Sequence, residues 1–413
     1  MVKERDAQME LVDALLTQTE ARSVAGLSLS PFFRRQWPSV YTALDRGQVD
    51  EEELRRVCVS CLPKQERALW VADASTWPRP EAWTLPERGF HHVATTTANT
   101  PVGIGHRYSS VVAVPEERGS WALPLSHERI PFGDSEVSFA AGQVRRLVQG
   151  LTCRPLLLAD SLYAGPLWLN ETADLNIDTL ARLRPNRTLY RRPTPRSGPG
   201  RPRLDGSPLN LRRADTWHDP DERAVVDDPE LGRVNLTVWR NLHFRKARGH
   251  EVCVIQVTLS KPCHQTRRRP CLWLMYAGQT PLNPARDWRY YLRRYTIEHW
   301  YRFLKSQLLW TSFAGTALHN TQLWSHLVTV ACWQLWLARR LVADQRLPWE
   351  KPVVVHSQLT PGRVRRSFAP LLAVIGTPAQ PPKPRGKSPG RSVGAKLRPR
   401  ARYPALKKEV MAV

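Results

Sequence analysis

Two short runs, Ala68-Leu-Trp-Val-Ala72 and Pro155-Leu-Leu-Leu-Ala159, are apolar throughout, and each is followed at once by an aspartate, Asp73 and Asp160. Runs this short are strands rather than helices, and their continuous apolarity means burial. Each therefore predicts a buried strand that delivers a carboxylate at its C-terminal end. The rim at the carboxyl ends of strands in an open α/β sheet is where sites form.

The segments around these runs set the architecture. His106 to Val114 and Trp121 to Arg129 read as two further strands, with Pro115-Glu-Glu-Arg-Gly119 as the turn between them. Ser135 to Leu147 reads as a helix, Leu162 to Leu169 starts another, and Thr179 to Arg184 is a short strand. This order predicts a mixed α/β sheet. Upstream, residues 1–65 read as a helical region, with Met9, Leu11, Val12, Leu15 and Leu16 at helical spacing and further helices over Trp37 to Leu44 and Glu51 to Leu62. Such a unit binds DNA or caps the next domain. Residues 66–184 form the first part of the core, and 185–288 a β-rich insertion with basic loops, its strands at Arg233 to Leu242, Glu251 to Leu259 and Cys271 to Tyr276. Residues 289–372 complete the core with helices. The Pro-, Gly- and Lys/Arg-rich segment 373–413 cannot bury enough apolar surface to fold alone and is expected to be a disordered basic tail.

Charge narrows the function. Lys and Arg number 61 against 37 Asp and Glu, a net charge of +24. A compact chain this basic repels itself unless a polyanion neutralises it, and nucleic acid is the expected one. The apolar stretch Leu323 to Leu341 contains Ser325, His326, Gln334, Arg339 and Arg340, so it reads as a buried helix and no membrane span is expected. Seven scattered cysteines suit a reducing cytoplasm. Cys58 and Cys61 form one Cys-x-x-Cys pair, and Cys263, His264 and Cys271 are loosely spaced, so buried thiols are expected rather than a zinc site.

The segment Trp288 to Trp310 carries the densest chemistry. As a helix at about 100° per residue, it brings Tyr291, Arg294, Glu298 and Lys305 within roughly 60° of one another, with Arg302 on the same stripe. Leu292, Ile297, Trp300, Phe303 and Leu304 fall opposite. One face anchors to a core while the other offers a carboxylate among cations and a phenol. Taken alone, the stripe is equally a solvated face with ion pairs such as Glu298 with Arg294 or Arg302, and each aspartate alone is a turn former or helix cap. Together, three hard oxygen donors suit Mg²⁺ or Mn²⁺. Two such ions about 4 Å apart activate an attacking oxygen and stabilise a leaving one.

Tyr291-x2-Arg294-x3-Glu298-x6-Lys305 resembles the Tyr-Arg-Glu-Lys signature of bacterial insertion-sequence transposases with an RNase H-like core. The resemblance extends from about Phe32 into the Pro-Lys-Pro-Arg-Gly-Lys tail. It implies an RNase H-like mixed sheet and a triad of Asp73, Asp160 and Glu298 holding two Mg²⁺ (or Mn²⁺) ions. It implies that Tyr291, Arg294, Arg302 and Lys305 hold phosphates; Arg184 and Arg187, with Arg182, Arg191 and Arg192, line a DNA channel or, each taken singly, equally belong to a solvated basic loop. The implied reaction is cleavage of double-stranded DNA at element ends, then attack of the freed 3′-hydroxyl on target DNA. The implied partners are element-end and target DNA and a second copy in a synaptic complex; the implied location is the nucleoid in the cytoplasm. After the second aspartate the family often has Asp-x-Gly-Tyr; here it is Asp160-Ser-Leu-Tyr163, so the tyrosine is kept without the glycine. A nuclease on the same core that only cleaves, and a domesticated DNA-binding protein without catalysis, are the competing readings. A glycosidase using two of these carboxylates fits a +24 chain badly.

Overall fold

The computed structural model describes residues 1–92, 102–194, 201–259, 271–353, 359–384, 390, 392–396 and 399–407. Cys263 and His264 lie outside them. Three helices open the chain, α1 (Arg5–Thr17), α2 (Pro38–Arg46) and α3 (Glu51–Ser60). Asp50 starts α3 by accepting the Glu53 amide at 2.9 Å, and Glu51, Glu52 and Glu53 complement its positive end. Then follow β1 (Leu69–Pro78), β2 (Gly89–His92), β3 (Val102–Ala113), β4 (Leu123–Ile130), α4 (Glu136–Val148), β5 (Leu156–Ala159), α5 (Pro166–Thr172) and β6 (Asp178–Arg182). The next stretch is all strand: β7 (Thr188–Arg191), β8 (Pro208–Asn210), β9 (Glu222–Asp228), β10 (Gly232–Phe244), β11 (Ala247–Leu259) and β12 (Cys271–Ala277). Helices close the chain: α6 (Pro284–Asp287), α7 (Thr296–Ser306), α8 (Leu318–Ala338), α9 (Pro361–Arg366) and α10 (Phe368–Ile375).

One 12-stranded sheet runs β2-β3-β1-β5-β6-β12-β11-β10-β7-β8, with β4 on the free edge of β3 and β9 on β10. The β1–β5 and β5–β6 pairs are parallel; the others are antiparallel. The strands of 185–288 therefore continue the core sheet through the β6–β12 pair instead of forming a separate layer. Helix α7 packs on β1, α4 on β3 and β4, and α8 on β4 and α1. Most of α8 is buried, and among the described residues no helix is long and apolar enough to cross a membrane. Trp70, Trp77, Trp168, Trp239, Trp288, Trp310 and Trp324 are fully buried, each a large apolar payload for the core.

Several expectations need correction. Asp73 does not end its strand: β1 continues to Pro78 because β3 pairs with it antiparallel down to Gly105. What ends near Asp73 is the parallel pairing with β5, whose last pair is Ala72 with Ala159. Trp288 to Trp310 is not one α-helix; Trp288–Tyr295 is a 3₁₀ segment that passes into α7 at Thr296. Three residues per turn shifts the phase of the first half, so Leu292 is 40% exposed instead of anchoring. The tail is not wholly free of the body: Leu406 bridges Gly89, the Tyr403 amide donates to the Trp83 carbonyl at 2.7 Å, and Arg34 reaches the Ala379 carbonyl at 2.7 Å.

Candidate functional site

The register of the two parallel strands sets the first pair of carboxylates. Ala72 faces Ala159 across β1 and β5, so Asp73 and Asp160, one residue further on, lie side by side where that pairing stops. Asp160 Oδ1 accepts the Leu162 amide at 2.7 Å, and the Tyr163 amide donates to the Asp160 carbonyl at 3.3 Å. The two bonds form an Asx-type turn without a glycine, and Tyr163 behind it is buried. Asp73 accepts the Ala74 amide at 2.9 Å.

The third carboxylate arrives on the first turn of α7. Arg294, at the end of the 3₁₀ segment, places one guanidinium nitrogen 2.6 Å from Glu298 Oε1 and another 3.8 Å from Asp73 Oδ2. The local helical ion pair does form. The same guanidinium also reaches a strand residue, which puts Glu298 on the Asp73 side of the sheet. Burial works against the Arg294 charge, but Tyr291, Glu298 and Asp73 outweigh it and hold its pKa above the ordinary arginine value. Asp73 is pushed up to about 6, first by burial and then by repulsion from Asp160; Arg294 and the Ala74 amide oppose this, and Glu298 adds to it. All three carboxylates thus share one electrostatic site.

The expected phosphate-binding residues separate into groups. Tyr291 and Arg294 are eclipsed at i and i+3 of the 3₁₀ segment, but Tyr291 is buried, which raises its pKa. Lys305 donates to Ser75 Oγ on β1 at 2.8 Å, and burial lowers its pKa while Asp73 opposes the shift. Arg302 is exposed on α7. Arg184 is exposed and donates to Ser161 Oγ at 3.0 Å, next to Asp160. The Arg187 amide donates to the Arg184 carbonyl, and its Nε is buried. Arg191 and Arg192 are engaged within the sheet region, with Asp221 at 2.7 Å and Glu251 at 2.6 Å.

Three residues at this site escaped the sequence. Tyr301 donates toward the Asp73 carbonyl at 3.0 Å and lies 2.9 Å from Ser110 Oγ, which is 2.7 Å from His127 Nδ1. The one available signal was a phenol on the anchoring face of an amphipathic helix, since a buried hydroxyl needs a partner.

Among the described residues, no three His, Cys, Asp or Glu side chains stand arranged as a metal cage. The donor set nonetheless suits divalent cations. Asp73 and Glu298 share one guanidinium, Asp160 stands beside Asp73, and burial and then Asp160 hold the Asp73 carboxyl back from ionising. Hard oxygen donors with a charge deficit are what Mg²⁺ or Mn²⁺ takes. The cysteines fit no such role: Cys58 and Cys332 are buried, and burial pushes both thiols up to about 12.

The chain belongs to a family described as DDE superfamily endonucleases, whose profile matches residues 2–241. The match spans both aspartates and ends before Glu298. No curated protein matches the chain at a significant level. Membership makes metal-dependent nuclease or transposase chemistry on DNA the general class of function.

Proposed function

We propose that the chain is a transposase of insertion-sequence type, with Asp73, Asp160 and Glu298 as its triad and two Mg²⁺ or Mn²⁺ ions as its cofactor. The observation that carries this reading is the meeting of three carboxylates from β1, the turn after β5 and α7: Asp160 beside Asp73, and Glu298 joined to Asp73 through Arg294. The β4-β3-β1-β5-β6 order, three antiparallel strands then two parallel, supports an RNase H-like core. When bound, the ions activate the attacking oxygen and stabilise the leaving one.

The protein's own groups do the rest. Arg294 and Lys305 hold phosphate oxygens by charge-assisted hydrogen bonds, and Arg302 and Arg184 extend that contact from exposed positions. Arg187 belongs to the same basic strip. Tyr291 packs beneath Arg294 and orients it. Water cleaves a phosphodiester at the element end and leaves a 3′-hydroxyl. That hydroxyl attacks a target phosphodiester, exchanging one P–O bond for another, so no external energy source is required. Two ends must meet, which calls for a second copy in a synaptic complex on double-stranded DNA.

Glu298→Gln tests the reading. It preserves side-chain size and removes a charged ligand. Cleavage of end-bearing DNA should fall by about 10³-fold or more, while DNA binding survives on distributed cationic contacts. Parent-level cleavage by Glu298→Gln in Mg²⁺ would remove Glu298 from the triad. A protein that cleaves ends but never joins them to target would be a nuclease on the same core.

A further inference from the structure

A buried polar rank runs beneath the carboxylates. Across β1, β3 and β4, Asp73 faces Ser110 and Ser110 faces His127, so the three stand in one line perpendicular to the strands. Tyr301 of α7 is laid onto this line. It follows Glu298 by three residues, so it sits on the next turn of the helix that carries the third carboxylate. Its hydroxyl is 3.0 Å from the Asp73 carbonyl oxygen and 2.9 Å from Ser110 Oγ.

One hydroxyl proton cannot serve both neighbours, and the carbonyl can only accept. The Tyr301 proton therefore goes to Asp73, Tyr301 accepts from Ser110, and Ser110 accepts from His127 Nδ1–H. His127 Nε2, buried without a partner, is then the unprotonated nitrogen. An unmatched acceptor there costs less than an unmatched N–H. Burial holds His127 neutral, its pKa lowered to about 3. The Tyr301 ring is fixed as well, stacked on Trp310 at 6.2 Å and set against Trp300 at 5.1 Å. Lys305 Nζ stands 5.8 Å from its centroid.

We infer that Tyr301 is a positioning residue, which through the Ser110–His127 rank fixes α7 against β1 and so sets Glu298 relative to Asp73 for a shared cation. The inference rests on the triad reading above. The hydroxyl binds the backbone of the residue that bears one carboxylate, from the helix that bears another. Its loss leaves the packing of the ring in place and frees the spacing between the two.

The test is Mn²⁺ binding to the full-length chain without DNA, followed by electron paramagnetic resonance, for Tyr301→Phe, Ser110→Ala and the double variant. Thermal unfolding and DNA affinity are measured alongside. Tyr301→Phe should weaken Mn²⁺ binding by about tenfold, the worth of one buried hydrogen bond, with DNA affinity unchanged. Ser110→Ala should weaken it in the same direction, and the double variant by less than the product of the two, because both cut one chain. A role in packing alone would lower the unfolding temperature and leave Mn²⁺ affinity at the parent value; that result overturns the inference. Glu298→Gln separates the two levels. If it loses Mn²⁺ while Tyr301→Phe does not, only the positioning role fails. If Glu298→Gln also binds Mn²⁺ like the parent, the triad fails and the inference with it.

Discussion

Arg294 touches carboxylates from two elements with one guanidinium, so it occupies charge that a bound cation would meet. Removing it leaves Asp73, Asp160 and Glu298 to repel one another more strongly. Arg294→Ala should therefore lower the unfolding temperature in the absence of divalent metal, and added Mg²⁺ should raise that temperature by more than it does in the parent. Equal Mg²⁺-induced shifts in the two proteins would mean that the guanidinium and the cation do not compete. Lys305 differs, since its ammonium is bonded to Ser75 and not to a carboxylate. Lys305→Ala should weaken binding to end-bearing DNA while Mn²⁺ affinity is kept. A matched loss of both, in a titration of each ligand, would place Lys305 with the metal site instead.

At the level of elements, the site depends on β1 continuing past the end of its parallel partner. The antiparallel partner β3 carries it, and the two backbones meet closely where Gly105 faces Pro78. A Cβ on Gly105 would lie 2.1 Å from the Trp77 carbonyl oxygen and 3.0 Å from the Arg79 nitrogen, both of them backbone atoms. Gly105→Ala should cost about 1–3 kcal/mol in denaturant unfolding, because a strand must shift to admit the methyl. An unchanged midpoint would show that β1 and β3 are not held together at this point. The turn into α7 matters equally. The 3₁₀ segment eclipses Tyr291 with Arg294, and the change to α geometry then sets Glu298 one turn ahead, within reach of that arginine.

Over the whole molecule, two charge effects are separable. The +24 net charge predicts DNA binding that releases counterions, so affinity should fall roughly 10³-fold or more between low and moderate salt. A flat response in a binding isotherm series would assign that charge to another task. Protons act through buried groups. Burial lowers His106 to about 4, His127 to about 3 and His326 to about 4, all below the unfolded value of 6.5. Between pH 6.5 and about 4 the unfolded chain binds more protons at these sites, so their contribution to stability is lost as pH falls. Asp13 and Asp73, each raised to about 6 chiefly by burial, act with the opposite sign between 3.8 and 6. Glu51 and Glu116, raised by burial, side with the aspartates, while Asp205, lowered to about 2 by its hydrogen bond from Arg248, sides with the histidines, whose larger shifts leave the histidine sign in control. Unfolding temperature without divalent metal should drop from pH 6.5 towards 4, and a rise over that interval would refute this balance.

The sequence alone determined the strands and what they carry. Short apolar runs must be buried, and the runs ending at Ala72 and Ala159 fixed two strands and two adjoining aspartates through local composition. The spacing Arg294-x3-Glu298 likewise put the third carboxylate beside one cation, because residues four apart on a helical stretch are neighbours. Tertiary structure decided the rest. Where β1 stops depends on pairing with β3, which hydrogen bonds between distant residues supply and no local pattern records. Trp288–Tyr295 winds as a 3₁₀ segment with Trp288 and Tyr291 buried and Leu292 at the surface, which helical spacing did not foretell. Above all, the contact of Tyr301 with Asp73, 228 positions apart, exists only once helix, strand and register are all in place. A sequence can require a partner for a buried hydroxyl, but only the fold brings one within 3 Å.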